Sequence, residues 1–181
     1  MSNRIFQDRI IRAAKLDPNL YEEVEADKSA LGQAMAIVVL SSIAAGIGLY
    51  KTGGFSGIIT GTMASLISWY VWAYLTYFIG TKFLPEPQTQ ADLGELLRTI
   101  GFSSSPGLLR VFYFVPGIGV LLYLISSFWM LVAMIIAVRQ ALDYNSTLRA
   151  VGVCVIGYVI QIFVLVLIFS IFGSALPDAP A

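Results

Sequence analysis

LLRTIGFSSSPGLLRVFYFV, residues 96–115, decides how many times this chain crosses a bilayer. Its 20 residues match the ~20 that a helix needs to span the hydrocarbon core. Yet Ser103, Ser104, Ser105, Pro106 and Gly107 follow one another in its middle, and Arg110 comes soon after. Four other windows read as plain membrane helices: 29–50, 52–81, 111–138 and 150–177, none with a charged side chain. Counting the broken stretch gives five crossings; omitting it gives four.

Composition sets the class. Apolar residues make up 57% of the chain and charged residues 12%, against soluble averages of ~45–50% and ~25%. A soluble helix must keep one face wet, so uncharged runs of this length have no place in one. A membrane β-barrel would need alternating segments of ~10 residues, and these runs do not alternate. The expected fold is therefore all-α: a polytopic membrane protein with a surface segment at 1–28, a five-span domain at 29–175 and a flexible tail at 176–181. A cleavable signal peptide is not expected, because 28 charged, amphipathic residues precede the first apolar run. Net charge is zero and no long basic run occurs, which argues against nucleic acid as a partner.

The basic residues orient the chain. With five crossings and a cytoplasmic N-terminus, Arg4, Arg9, Arg12, Lys15, Lys28, Lys82, Arg98, Arg139 and Arg149 all lie inside. Only Lys51 lies outside, and Arg110 stays within the third span, in keeping with the positive-inside bias. Four crossings would put the loop carrying Arg139 and Arg149 outside. Five crossings are thus expected, with the C-terminus outside. Pro106 would kink the third span, and the nearby serine hydroxyls are placed to satisfy the carbonyl that it leaves free. Pro116 and Gly117 then turn the chain into the fourth span.

Ahead of the first span, Phe6, Ile10, Ala13 and Ala14 follow helical spacing. Arg4, Arg9, Arg12 and Lys15 occupy the rest of that wheel and are candidate contacts to an anionic membrane surface. Asp17-Pro18 starts a second helix, with Asp as cap and Pro in the first turn. Asp92 is expected to begin the third span's helix. Ser42, Gly46, Gly57, Gly61 and Ser65 recur at four-residue intervals along spans one and two, the spacing that lets helices approach closely. Within one chain this means packing; between chains it means a dimer face. Trp69 lies too deep for an interfacial belt, so its indole N–H is expected to bond internally. Asn145-Ser146-Thr147 has the form of a glycosylation acceptor but is expected to lie in a cytosolic loop.

The chain has no histidine, and its one cysteine, Cys154, sits in an apolar run. No acidic residue lies within a span. Metal sites, triads and proton relays therefore lack their side chains, and no enzyme activity, metal or cofactor is expected. Arg110 is the one intramembrane charge. It lies six residues before Pro116, roughly 9 Å of helical rise, so it can either snorkel to the outer surface or act as a buried structural or ligand-binding group. Gln161 is the deepest long polar side chain, with interhelical hydrogen bonding as its plain role.

LDPNLYEEVEAD at 16–27, followed by Gly32-Gln33-Ala34, resembles the segment that leads prokaryotic Yip-domain proteins (Ypt/Rab-interacting protein type) into the membrane. GELLR at 94–98 with Gly101-Phe102, then Ser105-Pro106, and VRQALD at 138–143 are similar to stretches of the same family. The resemblance implies a five-span integral membrane domain with a cytosolic N-terminus, in the cytoplasmic membrane of a prokaryote. Eukaryotic relatives are trafficking factors that engage Rab-type GTPases and help shape Golgi and endoplasmic-reticulum membranes. Here the long cytosolic region of those relatives shrinks to two short helices and their Tyr-Gly-rich motifs are not evident, which puts GTPase binding in doubt.

Two functions compete. The leading expectation is a non-enzymatic scaffold or membrane organiser that touches the lipid bilayer and forms a homo-oligomer or binds another membrane protein. The second is a small permease or lipid-handling protein with its site at Ser103, Ser104, Ser105, Pro106 and Arg110. The second requires a polar cavity at the broken stretch; a dry, tightly packed helix at Pro106 would remove its basis.

Overall fold

The computed structural model describes residues 2–172; the predicted tail and the last residues of the predicted fifth span lie outside them. Seven α-helices and no strand are found among the described residues: α1 (Ser2–Ala14), α2 (Pro18–Ala26), α3 (Leu31–Gly48), α4 (Tyr50–Phe78), α5 (Leu93–Ser103), α6 (Gly119–Ala141) and α7 (Thr147–Phe172). A 3-10 turn at Lys28–Ala30 leads into α3, and a π-helical turn at Ile79–Phe83 ends α4. Four stretches are long and apolar enough to cross a membrane: Lys28–Gly48, Gly53–Phe83, Gly119–Ala141 and Thr147–Val164. The protein is a multi-pass membrane protein.

Local chemistry explains the helix starts. Asp17 accepts the Asn19 N–H at 3.0 Å and Pro18 takes the first helical position of α2, as its sequence predicts. Asp92 and Glu95 form a reciprocal capping box at α5, with bonds of 2.8 and 2.7 Å. Gly54 adopts φ 57° and breaks the helical path near the start of α4, a conformation that other residues avoid. Asn145 lies in the α6–α7 loop, its N–H bonded to Glu86 at 3.0 Å.

The stretch at 96–115 differs from the single kinked helix that its sequence predicts. It begins inside α5, breaks at Ser104 and continues as a 3-10 helix over Ser105–Phe114. The residues from Leu96 through Ser103 are all buried, as are Ser105, Pro106 and Gly107. Irregular backbone persists where protein surrounds it, and α3 and α6 flank it here.

Three glycines record the path of this element beside α3. A Cβ on Gly101 would meet Ala34 at 2.6 Å, one on Gly107 would strike Ser41, and one on Gly48 would strike the carbonyl of Arg110. The contacts move together from the start of α3 to its last residue, so the two elements run side by side in the same direction. Along α6 the order reverses. Gly107 lies against Met130, Tyr113 packs edge-on to Tyr123 and, at the turn, lies against Gly119, while Pro106 O accepts from Ser126 at 2.8 Å. The broken element is the axis of the bundle.

Candidate functional site

The break is chemically complete. Pro106 has no N–H, so the carbonyl four residues back, that of Phe102, loses its helical donor. Ser105 Oγ donates to it at 2.7 Å, the role its sequence predicts for a nearby serine, and Ser103 Oγ donates to Ile100 O at 2.7 Å. The indole of Trp69 donates to Leu97 O at 3.0 Å, an internal bond as expected. These bonds give the carbonyls of Leu97, Ile100 and Phe102 side-chain donors around the break.

Beside it lies a cavity of about 610 Å³. One wall is a single face of α4, on which Gly53, Gly57, Gly61, Ser65 and Ser68 give way to Trp69 and Trp72. Ser103, Ser104 and Arg110 come from the broken element, Ser127 and Met130 from α6, and Tyr158 and Gln161 from α7. Ser105 and Pro106 are buried outside it and packed against α3 and α6, so no cavity opens at Pro106 itself, contrary to expectation. Of the five residues predicted there, Ser103, Ser104 and Arg110 line the cavity beside the break. Of the five residues predicted for helix packing, Ser42 and Gly46 do bring α3 and α4 together. Ser42 Oγ lies 3.2 Å from Thr62 Oγ1, and a Cβ on Gly46 would meet Ile58 at 2.9 Å. Gly57 and Gly61 do not: nothing lies within 4 Å of a Cβ placed on either, because they face the cavity. Gly48, Gly101 and Gly107, like Gly46, permit close packing inside the chain.

Arg110 sits at one end of this space, its backbone against the last residue of α3. One guanidinium nitrogen, Nη2, donates to Ser127 Oγ at 3.1 Å, and the guanidinium carbon lies 5.0 Å from the centre of the Tyr123 ring. Its Nε is buried with no hydrogen-bond partner. Trp72, only 7% exposed, also lines the cavity and its Nε1 has no partner. The walls therefore set donors and hydroxyls among a larger apolar share from residues such as Val38, Leu49, Ile100 and Leu131, and the described lining holds no carboxylate or thiol. Such a lining binds acceptors and anions; it has no group suited to accept a proton. Nothing in the sequence pairs Ser127 or Tyr123 with Arg110, since both come from another helix.

The opposite, N-terminal side of the bundle is built differently. Arg9 is 6% exposed and donates to Glu23, Asp27 and Gln33 at 2.9, 2.8 and 2.9 Å. Arg12 donates to Asp17 at 2.8 Å and to the second oxygen of Glu23 at 2.6 Å. The sequence suggests that these arginines face lipid headgroups; the structure turns them inward, where the acidic α2 neutralises them. Arg4 and Lys15 remain exposed, along with Ile5 and Ile11.

Hydrogen bonds from Arg12 hold the Asp17 carboxyl below its ordinary range, and those from Ser29 and Arg9 do the same for Asp27. Burial works against the Glu23 carboxylate, but the bonds from Arg12 and Arg9 outweigh it and its pKa is lowered too. Arg98, buried at 4% exposure, bonds the carbonyls of Val24 and Glu25 and so closes the C-terminal end of α2. Glu25 is pushed up to about 8, first by burial and then by the nearby Glu22, Glu95 and Asp143. Gln140 donates to Glu22 at 2.6 Å. The three stretches 16–27, 94–98 and 138–143, far apart in the chain, thus meet in one bonded cap.

The Yip1 domain model matches residues 17–169, most of the chain. The chain belongs to the Yip1 domain family. No curated protein sequence and no solved structure matches it. The match runs through both the cap and the cavity, from Asp17 in the α2 start to the α7 residues beyond Gln161. Of the stretches whose sequence resembles the family, 16–27, 94–98 and 138–143 meet in the cap, and Gly101-Phe102 and Ser105-Pro106 lie at the break.

Proposed function

We propose that this Yip1 domain protein is a non-enzymatic lipid-handling membrane protein that admits phospholipid headgroups to a polar groove within the bilayer. The observation that supports the reading is the 610 Å³ cavity beside the broken element, where hydroxyls, Gln161 and Arg110 stand among glycines and apolar side chains such as Val38, Leu49, Ile100 and Leu131, a mixed lining that suits a headgroup and the start of its chains. Apolar surfaces suffice for a protein that only sits in lipid. A space of this size lined with polar groups at membrane depth needs an occupant with polar atoms, and burying such groups without partners is costly. Headgroups meet that need.

We infer that the chain crosses five times, with the N-terminus cytoplasmic and the C-terminus outside in a prokaryotic cytoplasmic membrane. The α5 part contributes roughly 16 Å of rise and the 3-10 part about 20 Å, together more than the ~30 Å hydrocarbon core. Its parallel course beside α3 and antiparallel course beside α6 favour a full crossing. An Asn145→Cys variant on a Cys154→Ala background tests this: membrane-impermeant thiol reagent should label it only after the membrane is opened. Labelling from outside would restore the four-crossing arrangement.

The function is tested by reconstitution into vesicles carrying a fluorescent phospholipid whose outer-leaflet copies are chemically quenched. Wild-type protein should raise the quenchable fraction from about half toward completeness, and Gly61→Leu should abolish the effect. No acceleration over protein-free vesicles would sink the reading. The scaffold alternative draws on one observation, the open Gly57–Gly61 face of α4, which a partner helix or second copy could cover. It expects disulfide cross-linking between Gly61→Cys copies in native membranes.

A further inference from the structure

We propose that Arg110 is a phosphate anchor: its free edge receives the phosphodiester of an outer-leaflet phospholipid at the mouth of the groove. This rests on the lipid-handling reading and names the ligand chemistry of the same site.

Charge is the first reason. No Asp or Glu occurs in residues 29–85, 96–142 or 144–177, so the chain supplies no carboxylate to Arg110 anywhere in the membrane region. A guanidinium cannot shed its proton to escape this. In a low-dielectric site an uncompensated charge is expensive, and an anion from outside the chain removes the cost.

Geometry is the second. A snorkelling arginine extends freely into the headgroup layer with all of its nitrogens wetted. Arg110 is instead fixed, with Nη2 on Ser127 Oγ and its face against Tyr123. Ser127 Oγ in turn donates to Tyr123 O at 2.7 Å, so the support is itself held. What remains is a buried Nε donor without a partner. A guanidinium presents adjacent N–H groups at the spacing of two phosphate oxygens, which a compact ammonium does not.

Placement is the third. Arg110 lies level with the end of α3 that the five-crossing arrangement puts outside, where a phospholipid's phosphate resides, and the Ser- and Gly-lined face of α4 leads inward from it. No group in the cavity is suited to break a phosphoester, so the ligand is bound and released intact.

The test is native mass spectrometry of detergent-purified protein with added phosphatidylglycerol, or with diacylglycerol as its phosphate-free counterpart. Wild type should retain one phosphatidylglycerol and no diacylglycerol. Arg110→Gln should weaken retention at least tenfold, Arg110→Lys should restore part of it, and Ser127→Ala should weaken it about threefold. Thermal unfolding within a few degrees of wild type shows that each variant is folded. Equal retention by folded Arg110→Gln, or equal binding of diacylglycerol, overturns the anchor. Displacement of the lipid by millimolar inorganic phosphate would make the ligand a free anion and overturn the lipid assignment. Vesicle transport that proceeds equally in wild type and in Arg110→Gln would keep the lipid-handling reading and dismiss the anchor. Arg110-dependent retention without transport would do the reverse.

Discussion

The two sides of this bundle handle charge in opposite ways. In the N-terminal cap, Arg9, Arg12 and Arg98 commit their nitrogens to Glu23, Asp27, Asp17, Gln33 and the carbonyls that end α2. At the far end, Arg110 has one hydroxyl, one aromatic face and an unpartnered Nε. Cap arginines hold structure together because every partner is internal. Arg110 is built into the same chain with its compensation left to something else. A charge that the fold satisfies is structural; a charge that the fold positions and leaves unsatisfied points outward, to a ligand.

That contrast can be broken at several points. The largest effect is expected from glycines that look alike in sequence. Gly107→Leu would drive a side chain into Ser41 and the Met130 sulfur and should cost about 3 kcal/mol or more of stability. Gly61→Leu, with open space around it, should leave thermal unfolding in detergent nearly unchanged while it blocks the groove. Similar losses from both would mean that the groove is closed in the working protein.

Arg9→Ala comes next. It strips three charge-assisted bonds from the α1–α2–α3 junction, and a loss on the order of 2–3 kcal/mol is expected in chemical unfolding. Arg110→Ala, which removes a side chain with little internal bonding, should cost clearly less.

Acidification sharpens the picture further. Asp17, Glu23 and Asp27 have folded pKa values below their ordinary ones, so their stabilisation is present above about pH 4. It is lost as the pH falls through the lowered folded values. Amide exchange in α1 should rise steeply below about pH 4 while exchange in α6 and α7 changes little. Uniform loosening of all helices would contradict a local cap.

The smallest effect belongs to Glu25. Its folded pKa is raised to about 8, so its neutral form is favoured by folding and the associated stability drains away as pH rises from about 4 to about 8. Glu25→Gln should therefore add up to about 1 kcal/mol at about pH 9 and nothing at about pH 4, seen in the same unfolding assay. A gain at the acidic end would assign the effect to packing.

How much of this could be read from the chain depends on range. Composition and run length expose the membrane helices, and Asp17-Pro18 and Asp92 mark their helix starts because capping acts within a turn. The bonds of Ser105 and Trp69 follow from what a missing N–H and a buried indole must find. Residues 96–115 had an identifiable break but not an identifiable geometry, since α-helix and 3-10 helix share side-chain patterns over so few residues. Small-residue spacing points to the close contact at Ser42 and Gly46, whereas Gly57 and Gly61 have no neighbour within the chain, because spacing shows that a helix face is small and cannot show what stands opposite. Arg9 and Arg12 were misplaced for a related reason: an amphipathic wheel gives the polar side, and only the return of α2 beside it supplies the acids.

The winding of the second half of the broken element has a consequence for change over time. A 3-10 helix advances ~2.0 Å and turns ~120° per residue. Losing or gaining one residue between Gly107 and Arg110 would therefore slide the guanidinium about 2 Å along the helix axis and swing it a third of a turn, away from both Ser127 and the cavity. Point substitutions along the groove wall alter its surface by a few atoms, whereas a single-codon deletion here would relocate the only charge it contains. Length, in these few residues, should be guarded more strictly than composition.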